Sequence, residues 1–532
     1  MFDFLKKASG TLNETVSKDD IAALLRTDKN ALKAFEEAYA ASALQTDTLP
    51  ENFFEINAKQ MADMAEGIEL EGCDIDLDDM ISRIVNELLN QTFIYEFDGK
   101  TSHRTKYIGT QVANPVTNEE IMSLPENLRP QLTGNLMKVD ISQPSYAVLL
   151  DSYMRYVNEK NPKTKQGFYH RFRQGLDILD LDPITYKIIG TNPNSMGHWL
   201  PQMANAIEHQ DFFKIPKTTI IKVPMPLLQL TRLEYTSLTR TTLDIVDKFC
   251  RKAFSLDETK DYFIKTGTYS SKFDFRNAHV HEAKEVRELG EYLLFIHHQA
   301  CQMAAPLNNR CIYGVSTTNE WVVREFIKDK ESNPCIYKGL PLHTEYRVFV
   351  DFDTKEVIGF NPYWDPDVMK QRFGHEDDAD SPHNIHDYVI YKAHEDTLMR
   401  RYHANIKTVL ENLKTLLQNV NGLTGQWSID IMQNDDEFWL IDMALAETSA
   451  FYNCVPRQLR NPTKENWIPK MSHSVQMVND NYDVIHNPNV KAKYPILYAE
   501  IIEHDKSSTS SWYDLSDEAY AEYLCYIDDE TI

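Results

Sequence analysis

From residue 19 to residue 90 the apolar residues recur at helical spacing. KNALKAFEEAYAASAL carries them three and four apart, and DDMISRIVNELLNQTF sets Ile81, Ile84, Val85, Leu88 and Leu89 on one stripe. Turn-rich QTDTLPENFF and the stretch from Asn114 to Pro130 interrupt this pattern, so residues 1–135 read as a mostly helical N-terminal region of unknown role. Beyond it the period shortens. MKVDIS, TYKIIGT and KTTIIKVP are β-branched runs, separated by the helical patterns SYAVLLDSYMRYV and WLPQMANAIEHQ, which predicts a preceding α/β domain over 136–225. TLDIVDKFCRKAF then opens the largest segment, 226–475, expected to be α+β; the tail, 476–532, reads as peripheral and partly flexible.

Four strand-like runs in the 226–475 segment carry charge. In YFIKTGTYSSKFDF a strand ends on Lys265 and a Thr/Gly/Ser loop leads to Lys272; backbone N–H groups and two cations in such a loop suit phosphates, although a hairpin with two surface lysines has the same pattern. EWVVREFI is a strand running into a linker, where backbone groups and the apolar Phe326 and Ile327 suit an adenine edge, or an ordinary edge strand. HTEYRVFVDFDTKEVIGF is a hairpin turning at Asp353-Thr354-Lys355. Its alternation puts Glu345, Arg347 and Phe349 on one face and Tyr346, Val348 and Val350 on the other. An arginine fixed on a strand suits bidentate phosphate binding, or pairs with Glu345 or Asp351. WSIDIMQNDDEFWLIDM is a second hairpin, with Asp430 inside one strand and Asp442 ending the other. Carboxylates among apolar neighbours need a cation, so the pair is a cradle for Mg²⁺ or is satisfied by lysines and backbone donors.

Composition narrows the classes. Fifty-five Lys and Arg against 80 Asp and Glu give a net charge of −25, which argues against general nucleic-acid binding but leaves room for a local basic pocket. Hydrophobic residues at 42% and aromatics at 11% fill real cores. No run approaches the ~20 apolar residues of a membrane span, and MFDFLKKASG has no secretory pattern. The seven cysteines are scattered without a CxxC pair, so no disulfide framework or zinc site is expected and a reducing, cytoplasmic compartment is. The acidic stretch Glu69 to Asp79 reads as solvent-facing surface, with a docking surface for a protein partner as the alternative.

The order of the four charged segments resembles the ATP-grasp superfamily, in particular its phage- and bacteria-associated clade named for one arginine and two lysines. Lys265, Lys272-Phe273, Glu345-Tyr346-Arg347, Asp430 and Asp442 match that clade's motifs over roughly residues 215–455. A more distant likeness is to translation-initiation-factor assembly chaperones of the same fold. The resemblance implies two α+β subdomains gripping Mg²⁺ and ATP. Lys265, Lys272 and Lys222 would meet phosphates, Glu325, Phe326 and Ile327 the adenine, Arg347 the γ-phosphate, and Asp430 with Asp442 the metal. Lys272 and Arg347 would serve the chemistry, in which a carboxylate of an amino acid, peptide or protein is activated as an acyl phosphate for attack by an amine or thiol. Where the family places a further Asn ligand this chain has Ala444, with Glu447 or Asn453 as substitutes. That departure keeps a second expectation open, a nucleotide-binding assembly factor or particle component without ligase activity. A phage-encoded member would act in the host cytoplasm or virion.

Other patterns carry less. His279 and His281, His297-His298, and His383 with His386 lack a partner Cys or HExxH frame and read as surface or core histidines. The loop after Lys265 has no Lys-x-Asp-Gly, and no GxSxG or P-loop occurs, which weakens nucleotidyl-transferase, hydrolase and motor readings.

Overall fold

The structure, a computed structural model, describes residues 18–40, 75–106, 114–132, 189–231, 233, 235–304, 318–373, 382–461, 474–476, 487–507, 512–527 and 529, with isolated positions between 155 and 186. The chain divides into two compact units. One comprises Met1–Lys138, Asn192–Gln302 and Val315–Asn461, the other Val139–Thr191, Met303–Gly314 and Pro462–Ile532. The class is α+β, with sheets that are almost wholly antiparallel.

Among the described residues the first unit holds two large sheets and a two-stranded one. Its strands are β1 (Phe93–Phe97), β2 (Ser102–Lys106), β3 (Phe213–Lys214), β4 (Thr218–Lys222), β5 (Tyr262–Thr266), β6 (His279–Val280), β7 (Glu320–Glu325), β8 (Cys335–Ile336), β9 (Leu340–Pro341), β10 (Thr344–Asp351), β11 (Glu356–Pro362), β12 (Gln426–Asn434) and β13 (Glu437–Leu445). A six-stranded sheet runs β2-β1-β4-β7-β5-β6, a five-stranded sheet runs β11-β10-β12-β13-β3, and the two-stranded one is β8-β9. Helix α1 (Leu77–Asn90) buries the expected stripe of Ile81, Ile84, Val85, Leu88 and Leu89, together with Met80, and Asp76 caps its first turn. Helix α2 (Met196–Ile207) and the long α3 (Pro382–Asn419) supply Trp199, Met203, Leu413 and Leu417 to a core shared with Tyr346, Val348, Ile429 and Ile431 of the five-stranded sheet. Those strand residues are one alternate set on β10 and β12, so the other set, Glu345, Arg347 and Asp430, faces away from this core.

Several expectations need correction. The N-terminal region is not simply helical, because β1 and β2 form a hairpin whose tight turn holds Asp98-Gly99, with Gly99 at φ +99°. Asp-Gly between short strand patterns is the signal that the helical reading passed over. Most of the α/β domain expected over 136–225 lies outside the described residues; its described strands, β3 and β4, belong to the two large sheets. β4 pairs antiparallel with both β1 and β7, and in TYKIIGT the described Tyr186 and Ile189 are helical. MKVDIS and nearly all of SYAVLLDSYMRYV lie outside the described residues, as do QTDTLPENFF and the acidic stretch before Ile75. The loop-rich stretch near Asn114 contains a short helix, Asn118–Ser123, fixed by a Thr117–Glu120 capping box.

The second unit corrects the reading of the tail. Helices Pro495–Ser507 and Asp517–Ile527 enclose a small core of Leu497, Ile501, Tyr513, Leu515 and Ala519, and Ser474–Gln476 pairs with Trp512–Asp514. Leu497 and Ile501 are four apart, so the apolar stripe was present in the sequence.

Candidate functional site

A half-open cavity enclosing about 920 Å³, its solvent mouth included, lies between the two large sheets of the first unit. β5 contributes Phe263 and Lys265, β7 contributes Arg324 and Glu325, and the linker that follows contributes Phe326 and Ile327. Across the gap stand Glu345, Asp430, Met432, Ile441 and Asp442, with Lys272, Tyr363 and Trp364 from neighbouring turns.

One end is charged. Lys265, only 2% exposed, points its Nζ at Asp442 Oδ1 at 3.2 Å. Arg347 grips Asp430 with both arms of its guanidinium, Nε to Oδ1 at 2.8 Å and Nη2 to Oδ2 at 2.7 Å. Asp430 and Asp442 are directly opposite across β12 and β13. A β-bulge brings them together: the register passes from Asp430–Asp442 to Ile431–Leu440, leaving Ile441 as the extra residue. Ile441 and Asp442 therefore both line the cavity, where strict alternation would have turned one of them into the core. Arg324 ties down the bulge from the other sheet, its Nη1 donating to the Ile441 carbonyl at 2.6 Å. Burial lowers the Arg324 pKa to about 10, opposed by the Asp442 charge.

Lys272 and Glu345 complete this end. Burial pushes the Lys272 ammonium down to about 8, against the pull of Glu345 and Asp430. Burial likewise pushes the Glu345 carboxyl up, against the pull of Lys272. Both groups are drawn toward their neutral forms by the same low-dielectric site.

The other end is apolar. Phe263, Phe275, Phe326, Ile327, Pro341 and Met432 are among its lining residues. Phe326 is held in place by stacking on His279 at 3.8 Å between centroids, and its backbone N–H donates to the Asp261 carbonyl at 3.1 Å. Burial, with His281 adding to it, lowers His279 to about 4, so this ring is a neutral packing surface at physiological pH. Glu325 sits at the rim, paired with Lys217 at 3.5 Å.

The structure thus gathers Lys265, Lys272, Glu325, Phe326, Ile327, Asp430 and Asp442 around one cavity, with Arg347 behind its lining, joined to it through Asp430. It places two candidates elsewhere. Lys222 is engaged by Glu320 and Asn319, and Glu447 is exposed on the turn Ala446–Thr448; neither lines the cavity. Asp442 lies inside β13 rather than at its end, since the strand runs on to Leu445. Ala444 stands opposite Ser428, whose Oγ donates to the Ala444 carbonyl. Sequence reasoning missed Arg324 and Tyr363 as site residues. The signal for Arg324 was available, a charged residue inside an apolar strand beside the linker.

The expected roles of the histidines are structural where they are described. His297 Nδ1 accepts from buried Trp321, and His298 meets the Thr231 carbonyl. Asp329, Glu331 and His343 come close enough together to hold a metal ion. However, Asp329 already accepts from Asn333, and Arg401 neutralises Glu331 at 3.0 Å.

No family model and no curated protein matches the sequence. Solved structures similar to this chain include Cdc123 from Schizosaccharomyces pombe and a C-terminally truncated form of it, each at 14% identity. The matched part spans 52% of this chain and 95% and 96% of those, with TM-scores of 0.30 and 0.32 respectively. At that identity and TM-score the likeness fixes neither fold family nor activity. Among the described residues no helix is long and apolar enough to cross a membrane.

Proposed function

We propose that the cavity is an ATP-grasp-type site for Mg²⁺ and ATP, and that the protein uses it to activate a carboxylate. One observation carries the reading: two lysines and an arginine, together with a carboxylate pair in register, line one end of a cavity whose other end is apolar, and a second arginine grips one of those carboxylates. A triphosphate needs several fixed cations, a base needs an apolar slot, and Mg²⁺ needs hard oxygen ligands. The residues present fit these needs. Lys265, Lys272, Arg324 and Arg347 outnumber Glu345, Asp430 and Asp442 at the charged end, so an anionic ligand is favoured there. Asp430 and Asp442 would hold the metal, which supplies charge neutralisation at the phosphates; Asp442, at 39% side-chain exposure, is open to it.

The chain's own groups would act by electrostatics. When a substrate carboxylate oxygen attacks the γ-phosphorus and ADP departs, negative charge spreads over the transferring group. Lys272, and Arg347 once it turns from Asp430, would balance it. An amine or thiol then attacks the acyl phosphate, phosphate leaves, and the nucleophile's proton goes to solvent. No protein nucleophile is required. Titrating MgATP calorimetrically, then adding hydroxylamine with a panel of amino acids and peptides, tests both halves. A hydroxamate marks an acyl phosphate.

A second reading, nucleotide binding without ligation, is favoured by Ala444, which offers no side-chain oxygen, and by Glu447, which is exposed and does not line the cavity. MgATP binding with no hydroxamate and no ADP across the panel would select it.

A further inference from the structure

Lys272 and Arg347 come from different elements, a 3₁₀ turn (Lys272–Asp274) and β10, and both come to rest on one aromatic ring that lines the cavity, Tyr363. Lys272 Nζ lies 4.4 Å from the centroid of Tyr363, and Arg347 Cζ lies 4.8 Å from it. Arg347 has Asp430 as a further partner, but among the described residues no carboxylate comes within the 4.0 Å of an ion pair with Lys272. What holds its ammonium is the face of Tyr363, with Phe273 farther off at 5.5 Å. The ring is itself fixed. Tyr363 N–H donates to the Glu345 carbonyl at 3.0 Å, and buried Trp364 meets its edge at 5.1 Å and 77°. The chain thereby places a partly negative π-face against a cation that must be surrendered to a ligand, and keeps the carboxylates that pull on it, Glu345 and Asp430, beyond ion-pair distance.

We propose that Tyr363 is a positioning residue, whose ring holds Lys272 and Arg347 ready for a phosphate group. The phosphate part of this rests on the nucleotide reading above. A carboxylate in place of the ring would neutralise Lys272 and compete with phosphate; an aliphatic side chain would remove the ring contact and leave only the longer-range pull of Glu345 and Asp430 against the repulsion of Arg347 and Arg372.

The test uses the full chain with Tyr363→Phe and Tyr363→Leu, and two readouts. In MgATP titration, Tyr363→Leu loses about tenfold in affinity, whereas Tyr363→Phe stays within about threefold. In parallel, acylation of individual lysines is followed by mass spectrometry against pH in the absence of nucleotide. Removing the ring makes the charged form of Lys272 less favourable, so its labelling midpoint falls by about half a pH unit in Tyr363→Leu and stays in place in Tyr363→Phe. If Tyr363→Leu lowers the melting temperature by several degrees, Tyr363→Met replaces it. An unchanged midpoint in the non-aromatic variant, or equal damage from Phe and Leu, overturns the proposal. Should the wild-type chain bind no MgATP, the nucleotide reading falls, and the labelling shift alone decides whether Tyr363 holds Lys272.

Discussion

Two pairs of carboxylates meet in the larger unit, and they are handled in opposite ways. Asp430 and Asp442 are matched one for one by Arg347 and Lys265 at the edge of a cavity. Asp247 and Glu291 are buried with no cation paired to either among the described residues: the Glu291 N–H donates to Asp247 Oδ1 at 3.2 Å, and Tyr235 donates its hydroxyl to Glu291. Burial, with Glu288 adding to it, raises Glu291 to about 7, and burial next to Glu291 raises Asp247 well above the carboxylate range. The first pair is neutralised by exchangeable cations, which suits a ligand site. The second is neutralised by protons, which suits a dry contact between Arg240–Ala253 and Leu289–Ala304.

The largest expected effect breaks the first pair. Lys265→Ala and Asp430→Asn each reduce MgATP affinity by about a hundredfold while the fold persists, since Asp442, left by the first, is 39% exposed, and the amide of the second keeps an oxygen acceptor for Arg347. Calorimetry beside circular dichroism checks this, and wild-type affinity in both variants would remove the site. Next comes the second pair. Glu291 binds its proton more tightly in the folded chain than at its ordinary value of 4.5, so its contribution is whole below that pH and is lost as pH rises toward 7. Glu291→Gln, which keeps an acceptor for Tyr235, is therefore expected to raise stability by roughly 2 kcal/mol at pH 8 and by little at pH 4. Denaturant melts at the two pH values measure it, and an equal effect at both would show that no proton is held.

Smaller effects sharpen the contrast. Lys272 loses its charge near pH 8, and Glu345 gains one over the same rise, so MgATP affinity falls severalfold between pH 7 and 9. Lys272→Arg, charged throughout, flattens most of that slope; a slope that persists assigns the titration to another group. The least effect belongs to Glu447→Ala, expected to stay within about twofold because the side chain is exposed away from the cavity.

Much of this was legible in the chain, and the reason is local pattern. The β10–β11 and β12–β13 hairpins and the stripe of α1 follow from β-branched runs broken by turn residues and from helical spacing. Charged residues inside apolar strands marked Lys265, Arg347, Asp430 and Asp442. Period alone does not reveal its own interruptions. The bulge at Ile441 shifts the count by one residue, so no counting rule brings Asp442 opposite Asp430. Nor does spacing show that a tyrosine sixteen positions beyond Arg347, on another strand's end, takes both cations on its ring. Such contacts depend on how the sheets face each other, which local sequence does not encode.

The most direct test is the density of a non-hydrolysable ATP analogue with Mg²⁺ in crystals of the full chain. The account predicts the base against Phe326 and the phosphates among Lys265, Lys272 and Arg347, with the metal between Asp430 and Asp442. Nucleotide bound elsewhere, or both ion pairs intact in crystals saturated with the analogue, would contradict it.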